Sequence, residues 1–351
     1  HKIRGESTVP AGKMLAKETG IGYNGTNSRY LRRKGMDEME QRHVVIVGAG
    51  IMGASLAQVY AQGGWKVFLY NRSQQGLDRA RGTILKNQEL LCAQGMLSPE
   101  EAAGAVGRIT FTLDRDCMST CALMLETIVE DLEAKRTFWR EASPLAPEEA
   151  LLATNTSGLP ISQIAQAVYR PERFMGQHWL NPPHLMPLCE IIRGEQTQQP
   201  YVEQMYQLVK DLGKEPVIVK KDITGFLANR LQYAMLREAL YLVEEGAADV
   251  EDIDTVLKAG LGLRYAALGP FRVCDFGGLD TYNRVNQYLN ETLCDRKEGD
   301  PLLAKIVAEG RCGVKSGAGF YDYSGDKAAQ ATAERDALYI ALAKVLCQKK
   351  Q

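Results

Sequence analysis

The sequence lacks the features that mark membrane-spanning, secreted and nucleic-acid-binding proteins. Its longest apolar runs are far shorter than the roughly 20 residues that a helix needs to cross a bilayer. No segment has the pattern of a signal peptide. The 42 lysines and arginines nearly balance the 43 aspartates and glutamates, and the formal net charge is −1. Because this charge attracts neither nucleic acid nor an anionic membrane, we expect a cytoplasmic protein with neither partner.

Few of the cysteines and histidines lie where they could indicate a metal site or a proton-transfer site. The eight cysteines are scattered and form no C-x-x-C pair, so we expect buried free thiols in a reducing compartment and no metal site. The chain has four histidines. Beyond the first residues only His43, His178 and His184 remain as candidates for proton transfer.

The first forty residues lack hydrophobic periodicity and contain a short basic run at residues 29–34. We expect residues 1–40 to be a flexible leader or residues added for expression, although the basic run could also attract an anionic partner. The rest of the 351 residues is long enough for two domains.

A glycine turn between an apolar run and a helical pattern is the strongest local signal. Val44–Val47 is typical of a buried strand, Gly48–Gly53 follows with the spacing G-x-G-x-x-G, and Val67–Tyr70 predicts a second strand. In such a turn the glycines allow a tight bend, close approach of a pyrophosphate and close packing of the helix. The phosphates would meet free N–H groups at the helix N-terminus. The pattern predicts a Rossmann-type dinucleotide site rather than an unliganded βαβ unit, with these residues of the turn at the cofactor: Gly48, Gly50, Ile51, Met52 and Gly53.

The residues after the second strand bear on the choice of cofactor. Most NAD sites place an acidic residue there to bind the ribose 2′-hydroxyl, but this chain has Asn71 and Arg72. Arg72 could pair with a 2′-phosphate, or it could be an ordinary solvated residue while Asn71 binds the ribose. We expect NAD(P)(H) as cofactor and favour NADP(H).

The pattern of secondary structure changes near residue 222. Strand-like and helical segments alternate before it, whereas nearly every later segment has helical spacing. The sequence therefore predicts an α/β Rossmann-type domain over residues 41–222 and an all-α C-terminal domain over residues 223–351. By analogy with similar two-domain enzymes, we expect the second domain to close the substrate cleft and to form a homodimer.

One histidine lies where a sheet could pair it with an acid. His178 ends a predicted strand, and Glu190 lies on the next strand, beyond a proline-rich loop at residues 181–187. Adjacent strands would place the imidazole beside the carboxylate, which fixes the tautomer and leaves the other nitrogen for proton exchange with a substrate oxygen. Spacing alone does not distinguish this pair from a structural hydrogen bond.

Two further polar residues follow predicted element boundaries. Ser157 follows a predicted strand, and Asn229 lies early in the first helix of the second domain. Either side chain could donate a hydrogen bond to a substrate oxygen, and either could equally be a helix cap or a core hydrogen bond.

Long segments of the chain resemble the 3-hydroxyacyl-CoA dehydrogenase family over about residues 43–323. The resemblance rests on these segments, in the family's order: VVIVGAGIMG, LETIVEDLEAK, TNTSGL, GQHWLNPPHLMPLCEII, GKEPVIVKKDITGFLANRL, LGPFRVCDFGGLD and GVKSGAGFYDY. It implies oxidation of a 3-hydroxyl to a ketone with hydride transfer to nicotinamide, in fatty acid metabolism.

The resemblance also implies roles for individual residues. His178 would be the acid/base with Glu190 orienting it, and Ser157 and Asn229 would bind the substrate 3-oxygen. The residues implied to border the nicotinamide or the catalytic cleft are Glu130, Lys135, Asn155 and Asn181.

Three features depart from the family pattern. Asn71 replaces the acidic ribose residue, and the segment after Tyr323 extends as an extra helix. An insertion containing Arg264 looks more like the lambda-crystallin/L-gulonate 3-dehydrogenase branch, and Arg264 could bind a substrate carboxylate or simply end a helix. The main interpretation is a dehydrogenase of a 3-hydroxyacyl-CoA. The alternatives are a dehydrogenase of a free 3-hydroxy acid, such as L-gulonate, and a structural crystallin-like protein.

Overall fold

The computed structural model describes residues 43–347. The leader predicted for residues 1–40 lies outside this range. The described chain begins with alternating strands and helices and continues, after residue 219, as helices. The predicted fold class, a Rossmann-type α/β part followed by a helical part, is therefore confirmed.

Eight strands form one twisted sheet in the described chain, in the order β3-β2-β1-β4-β5-β6-β7-β8. Neighbouring strands run parallel except β6 and β7, which are antiparallel. The strands are β1 His43–Val47, β2 Lys66–Tyr70, β3 Ile109–Thr112, β4 Leu123–Glu126, β5 Leu151–Thr154, β6 Phe174–Trp179, β7 Leu188–Ile192 and β8 Glu215–Val219.

The helices fall into two groups. Those that accompany the sheet are α1 Ile51–Gln62, α2 Gln74–Ala93, α3 Pro99–Gly107, α4 Leu132–Ala142, α5 Ile161–Ala165 and α6 Gln199–Asp211. Those that follow the sheet are α7 Ala228–Glu244, α8 Val250–Val256, α9 Leu263–Leu268, α10 Pro270–Gly277, α11 Leu279–Leu289, α12 Pro301–Ala308 and α13 Lys327–Cys347. A π-helical segment, Leu257–Gly262, joins α8 to α9.

Burial of apolar side chains on the sheet explains why these segments become central strands. The strands β4 and β5 are buried at every residue, as expected of parallel strands that helices cover on both faces. Trp139 of α4 packs edge-on against Phe174 of β6, with ring centroids 5.1 Å apart. This core holds the carboxyl ends of β4, β5 and β6 in fixed positions, and the candidate site is built there.

One predicted boundary needed correction, and two elements of the structure had not been predicted. The helix predicted from Phe226 begins at Ala228, because Phe226 has a φ of +51° and belongs to a turn. The strand β3 gave no clear sequence signal, since it is a four-residue edge strand with one buried residue. The helix α6, Gln199–Asp211, was also not predicted, although it has an amphipathic pattern.

The helices after the sheet differ in burial. The long helix α7 continues from the turn at Gly225 and Phe226, and Leu240 is the one buried residue in this described helix. Over Val250–Leu289, which includes α8 to α11, Val273 is the only buried residue in this described stretch. None of the described helices combines the length and apolar character that crossing a bilayer requires.

Candidate active site

The turn after β1 has the geometry that a pyrophosphate needs. Gly48 has a φ of +102°, and a Cβ there would lie 2.9 Å from the Thr127 carbonyl oxygen. A Cβ on Gly53 would lie 1.8 Å from the Gly48 carbonyl oxygen, so only glycine allows this contact between turn and helix. A Cβ on Gly50 would meet nothing within 4 Å. The backbone at Gly50 is therefore open to a ligand.

The first turn of α1 supplies donors for that ligand. Its N-cap residue, Gly50, makes no side-chain cap, and Ile51 is exposed. The first N–H groups of a helix have no intrahelical acceptor, and the helix dipole favours an anion at this end. The predicted turn residues, including Met52, thus fit a dinucleotide pyrophosphate.

The end of β2 lies next to this turn, since the Gly48 N–H donates to the Tyr70 carbonyl at 2.9 Å. The Asn71 amide donates to the backbone oxygen and the hydroxyl of Ser73, at 3.1 and 3.3 Å. Its NH₂ group is therefore committed to the start of α2, and its oxygen remains available as an acceptor. Arg72 is exposed, and no described residue pairs with its guanidinium.

The strand order creates a crevice at the carboxyl ends of β1 and β4. The chain leaves β1 toward β2 on one side, and β4 lies on the other side of β1. In open parallel sheets, ligands bind at such a switch point. The residues that follow β4, β5 and β6 face the same edge of the sheet, which is where most of the predicted site residues lie.

His178 and Glu190 are directly opposite each other on the antiparallel strands β6 and β7. The His178 Nδ1 lies 2.7 Å from Glu190 Oε2, and both residues are buried. No described residue makes a hydrogen bond with His178 Nε2. The pair thus has the arrangement of an acid-oriented imidazole with one nitrogen left for a substrate.

Glu190 has a second set of partners that keeps it ionised. Its Oε1 accepts the backbone N–H groups of Leu227 and Ala228 at 2.9 and 3.0 Å, at the start of α7. Burial by itself would raise the pKa of Glu190. The hydrogen bonds from His178, Ala228 and Leu227 outweigh it and leave the pKa below the usual value. The carboxylate therefore stays charged at neutral pH and also ties the helical part to the sheet.

The other two candidate histidines lack such partners. His43 begins β1 and makes an edge contact with Phe68. His184 lies in the loop between β6 and β7, and neither of its ring nitrogens finds a hydrogen-bond partner in the described chain. Burial lowers the pKa of His184 to about 4, so it is neutral at physiological pH. Among these three histidines, only His178 faces a carboxylate at the crevice.

Ser157 and Asn229 come together from two parts of the chain. The Asn229 Nδ2 donates to the Ser157 carbonyl at 2.7 Å, across 72 residues of sequence. The Ser157 N–H and the Thr156 hydroxyl both donate to Glu130 Oε1, at 2.7 and 2.6 Å. The loop that carries Ser157 is thus fixed from both sides. No described residue forms a hydrogen bond with the Ser157 hydroxyl.

Behind Glu130 lies a buried charge pair. Lys135 and Glu126 are both fully buried, and Lys135 Nζ donates to Glu126 Oε1 at 2.6 Å. The same ammonium lies 3.5 Å from Glu130 Oε2. Glu126 also accepts hydrogen bonds from Thr154 and Trp139, at 2.7 and 3.3 Å. Lys135 therefore contacts the cleft only through Glu130, and its side chain is not open to a cofactor.

The remaining predicted site residues do not all lie at the crevice. Asn155 follows β5 and accepts the Trp179 N–H at 3.0 Å, so it lies beside His178 on the crevice edge. Asn181 is exposed and precedes a cis peptide bond to Pro182. Arg264 does not join this group. Its guanidinium donates to the Tyr282 hydroxyl at 3.3 Å, within the α8–α11 segment.

A cavity of about 780 Å³ extends from Ser157 and Asn229 along α7. Its far wall is formed by residues 296–303, before and within α12, and Arg230, Arg237 and Arg296 line it. Arg264 does not line this cavity. A substrate of moderate size could therefore lie with its reacting end at Ser157 and Asn229.

Comparison with known proteins gives the family. The family model "3-hydroxyacyl-CoA dehydrogenase, NAD binding domain" matches residues 43–223, and "3-hydroxyacyl-CoA dehydrogenase, C-terminal domain" matches residues 225–323. The chain belongs to the 3-hydroxyacyl-CoA dehydrogenase family. Members of this family are oxidoreductases with a nicotinamide cofactor, so the predicted family and enzyme class are confirmed.

Relatives within the family carry different names. The chain is 39% identical over 279 residues to a probable 3-hydroxybutyryl-CoA dehydrogenase of Deinococcus radiodurans, covering 79% of this chain and 99% of the relative. It is 36% identical over 306 residues to the 5-formyl-3-hydroxy-2-methylpyridine 4-carboxylate 5-dehydrogenase of Mesorhizobium japonicum, covering 87% of this chain and 98% of the relative. A crystal structure described as that kind of dehydrogenase, "an NAD+ dependent dismutase", matches with a TM-score of 0.81 and 35% identity, covering 87% of this chain and 98% of that chain.

Several site residues of this family member were not predicted from the sequence. Glu126 was missed, although a charged residue that ends the apolar strand Leu123–Glu126 is a usable signal, because an unpaired buried charge is costly. Thr156 was predicted only as part of the segment TNTSGL, with no role of its own. Arg237 was missed, because one exposed arginine on a helix has no distinguishing pattern.

Proposed function

We propose that the chain interconverts a 3-hydroxyacyl and a 3-oxoacyl compound, with a 3-hydroxyacyl-CoA as the main candidate. The observation that carries the proposal is the buried His178–Glu190 pair at the crevice edge. A bound nicotinamide would supply the hydride acceptor. His178 Nε2 then takes the hydroxyl proton in oxidation and returns it in reduction, while Glu190 stabilises the protonated ring.

The residues around the pair have supporting roles in this proposal. Ser157 Oγ and the remaining N–H of Asn229 bind the substrate 3-oxygen. Glu130, Asn155 and Asn181 border the nicotinamide end of the cleft. Lys135 acts through Glu130, since its ammonium is buried against two carboxylates.

A second candidate is a dehydrogenase of a free hydroxy acid. The arginine-lined cavity beside Ser157 and Asn229 favours it. The similarity to an enzyme named for a pyridine carboxylate also favours it. A structural crystallin-like role has no comparable support, because it does not explain the pairing of His178 with Glu190. A cytoplasmic location and a role in fatty acid metabolism remain part of the proposal.

The cofactor preference follows from the residues after β2. We expect the purified protein to change nicotinamide absorbance with acetoacetyl-CoA or free 3-hydroxy acids, and to show a higher kcat/KM with NADP(H) than with NAD(H). Arg72→Ala should lower the NADP/NAD ratio about tenfold or more, because a charged hydrogen bond to phosphate contributes about 1.5–3 kcal/mol. Steady-state rates with both cofactors measure this ratio.

Arg140→Ala is the matched control, because Arg140 is also exposed but lies in the last turn of α4. Its ratio should equal that of the wild type. A wild-type enzyme that strongly prefers NAD(H), or an unchanged ratio in Arg72→Ala, would contradict the NADP preference. Absence of turnover with every substrate and both cofactors would contradict the proposed activity itself.

The α8–α11 segment supports a homodimer. Phe271 and Phe276 of α10 are 85% and 77% exposed, and only Val273 is buried over Val250–Leu289 in the described chain. Several large apolar side chains exposed on one segment are typical of an interface. We expect sedimentation equilibrium to give the mass of two chains. Phe271→Asp should shift the protein toward the monomer, whereas Tyr169→Asp, an exposed aromatic residue of the sheet part, should not. A wild-type monomer at micromolar concentration would refute the dimer.

A further inference from the structure

The cavity beside α7 contains two arginines without an acidic partner. Arg296 is paired with two carboxylates, since it lies 2.7 Å from both Glu244 and Asp300. The Arg230 guanidinium reaches only the Thr224 carbonyl at 3.5 Å, and the Arg237 guanidinium reaches only the Arg296 carbonyl at 3.4 Å. No described carboxylate forms an ion pair with either group.

The acidic residues of the cavity do not cancel this charge. Asp300 is held by Arg296 and also caps α12 through the Leu303 N–H at 3.1 Å. Glu298 is the one lining carboxylate in the described chain that is outside these pairs. The cavity is lined by three arginines and two carboxylates, Glu298 and Asp300. The two guanidinium groups without an acidic partner favour an anionic ligand at their side of the cavity.

Helix geometry places Arg237 at a suitable distance from the reacting end. Arg230 and Arg237 are seven residues apart and therefore lie on one face of α7, as the cavity lining shows. Asn229 and Arg237 are about 12 Å apart along the axis at a rise of about 1.5 Å per residue. Both side chains lean toward the N-terminus and the arginine is the longer, so the guanidinium can lie within about 12 Å of the Asn229 amide.

That gap matches a small hydroxy acid. Two hydrogen bonds of about 2.9 Å take up about half of it. The remainder accommodates the few bonds between an alcohol oxygen and a nearby carboxylate. A guanidinium can bind a carboxylate with two parallel N–H donors, which a lysine cannot do.

We propose that Arg237 binds a carboxylate of the substrate and makes the enzyme selective for acidic hydroxy compounds. This inference rests on the proposed function and narrows its substrate class. The carboxylate can belong to a free hydroxy acid or to the far end of a dicarboxylic acyl group linked to CoA. A CoA thioester of a simple 3-hydroxy acid has no such carboxylate.

Arg237→Gln tests the proposal, because it removes the charge and keeps most of the length. The substrates are 3-hydroxybutyrate, 3-hydroxybutyryl-CoA and the CoA thioester of a 3-hydroxy dicarboxylic acid. We expect kcat/KM to fall about 10–100-fold, mainly through a higher KM, for 3-hydroxybutyrate, for the dicarboxylic thioester, or for both. The compound that is affected shows whether the carboxylate belongs to a free acid or to an acyl group on CoA. It should change less than about 3-fold for 3-hydroxybutyryl-CoA. Arg237→Lys should fall between the wild type and Arg237→Gln.

Arg115→Gln is the matched control, since Arg115 is an exposed arginine of the sheet part that pairs with Glu141, at 3.2 Å. It should leave all three values near those of the wild type. Equal losses on all three substrates in Arg237→Gln, or no loss on either carboxylate-bearing compound, would overturn the proposal.

A binding measurement separates this inference from the proposed activity. Benzoate and benzamide have nearly the same shape and differ in charge, so both can be titrated calorimetrically into the wild type and Arg237→Gln. We expect benzoate to bind the wild type about tenfold more tightly than the variant, and benzamide to show no difference. If no substrate turns over but benzoate still depends on Arg237, the anion site stands and the proposed function fails. Equal benzoate affinity for both proteins refutes the anion site whatever the turnover.

Discussion

His178→Gln is expected to lower turnover by about 10²–10⁴-fold, the usual contribution of general acid–base catalysis. Glutamine can still donate a hydrogen bond to Glu190 but cannot take a proton from a substrate hydroxyl. The affinity for the nicotinamide cofactor should stay close to that of the wild type, because the glycine turn at Gly48–Gly53 is unchanged. Single-turnover rates and a cofactor fluorescence titration measure the two quantities separately.

His43→Gln provides the control for this loss, since His43 lies at the opposite end of the sheet strands and faces Phe68. Its turnover should remain within a few-fold of the wild type. Near-normal turnover in a folded His178→Gln protein would remove His178 from the mechanism. Glu190→Gln should also lower the rate, because a neutral amide stabilises the protonated imidazole less than the carboxylate does.

Lys135→Met is expected to destabilise the fold by about 3–5 kcal/mol, the usual cost of removing one partner of a buried ion pair. Glu126 would remain fully buried with its charge uncompensated, although Thr154 and Trp139 would still donate to it. Urea unfolding followed by tryptophan fluorescence measures the change, provided that the slope of the transition is the same in both proteins.

The neighbouring pair in α4 supplies the comparison. Arg136 lies 3.0 Å from Glu133, whose side chain is 70% exposed, so solvent screens this pair and Arg136→Met should cost less than about 1 kcal/mol. The double variant Lys135→Met with Glu126→Gln should recover part of the loss, because no unpaired charge then remains. A loss below 1 kcal/mol in Lys135→Met would show that the buried pair contributes little to stability.

Local signals made some of the site predictable. The glycine turn could be recognised because each glycine answers a local constraint, a positive φ at Gly48 or a contact of 1.8 Å at Gly53. The pairing of His178 with Glu190 was also accessible, since a strand, a short loop and a strand place residues opposite each other when the register is simple. In both cases the determining residues lie close together in the sequence.

Other parts of the site depend on contacts that no local pattern encodes. The partners of Glu190 at the start of α7 are 37 and 38 residues away, and Asn229 meets Ser157 across 72 residues. For Arg264 the sequence left two roles open, binding a substrate carboxylate or ending a helix, and the structure places its guanidinium against Tyr282 and outside the cavity lining. The chemical type of a residue does not show where its side chain points, because that depends on how the helices pack.

The sequence by itself determined the fold class, the dinucleotide turn and the family, because apolar periodicity and glycine spacing act through the conformation of neighbouring residues. Only the tertiary structure decided which charges are buried together and which face the cavity. Lys135 became a buried partner of Glu126, and Arg237 became a cation without an acidic partner in the cavity that Asn229 also lines. Both are ordinary charged residues of helices in the sequence. Their different environments arise because α4 packs onto the buried strand β4 while α7 borders an open cavity.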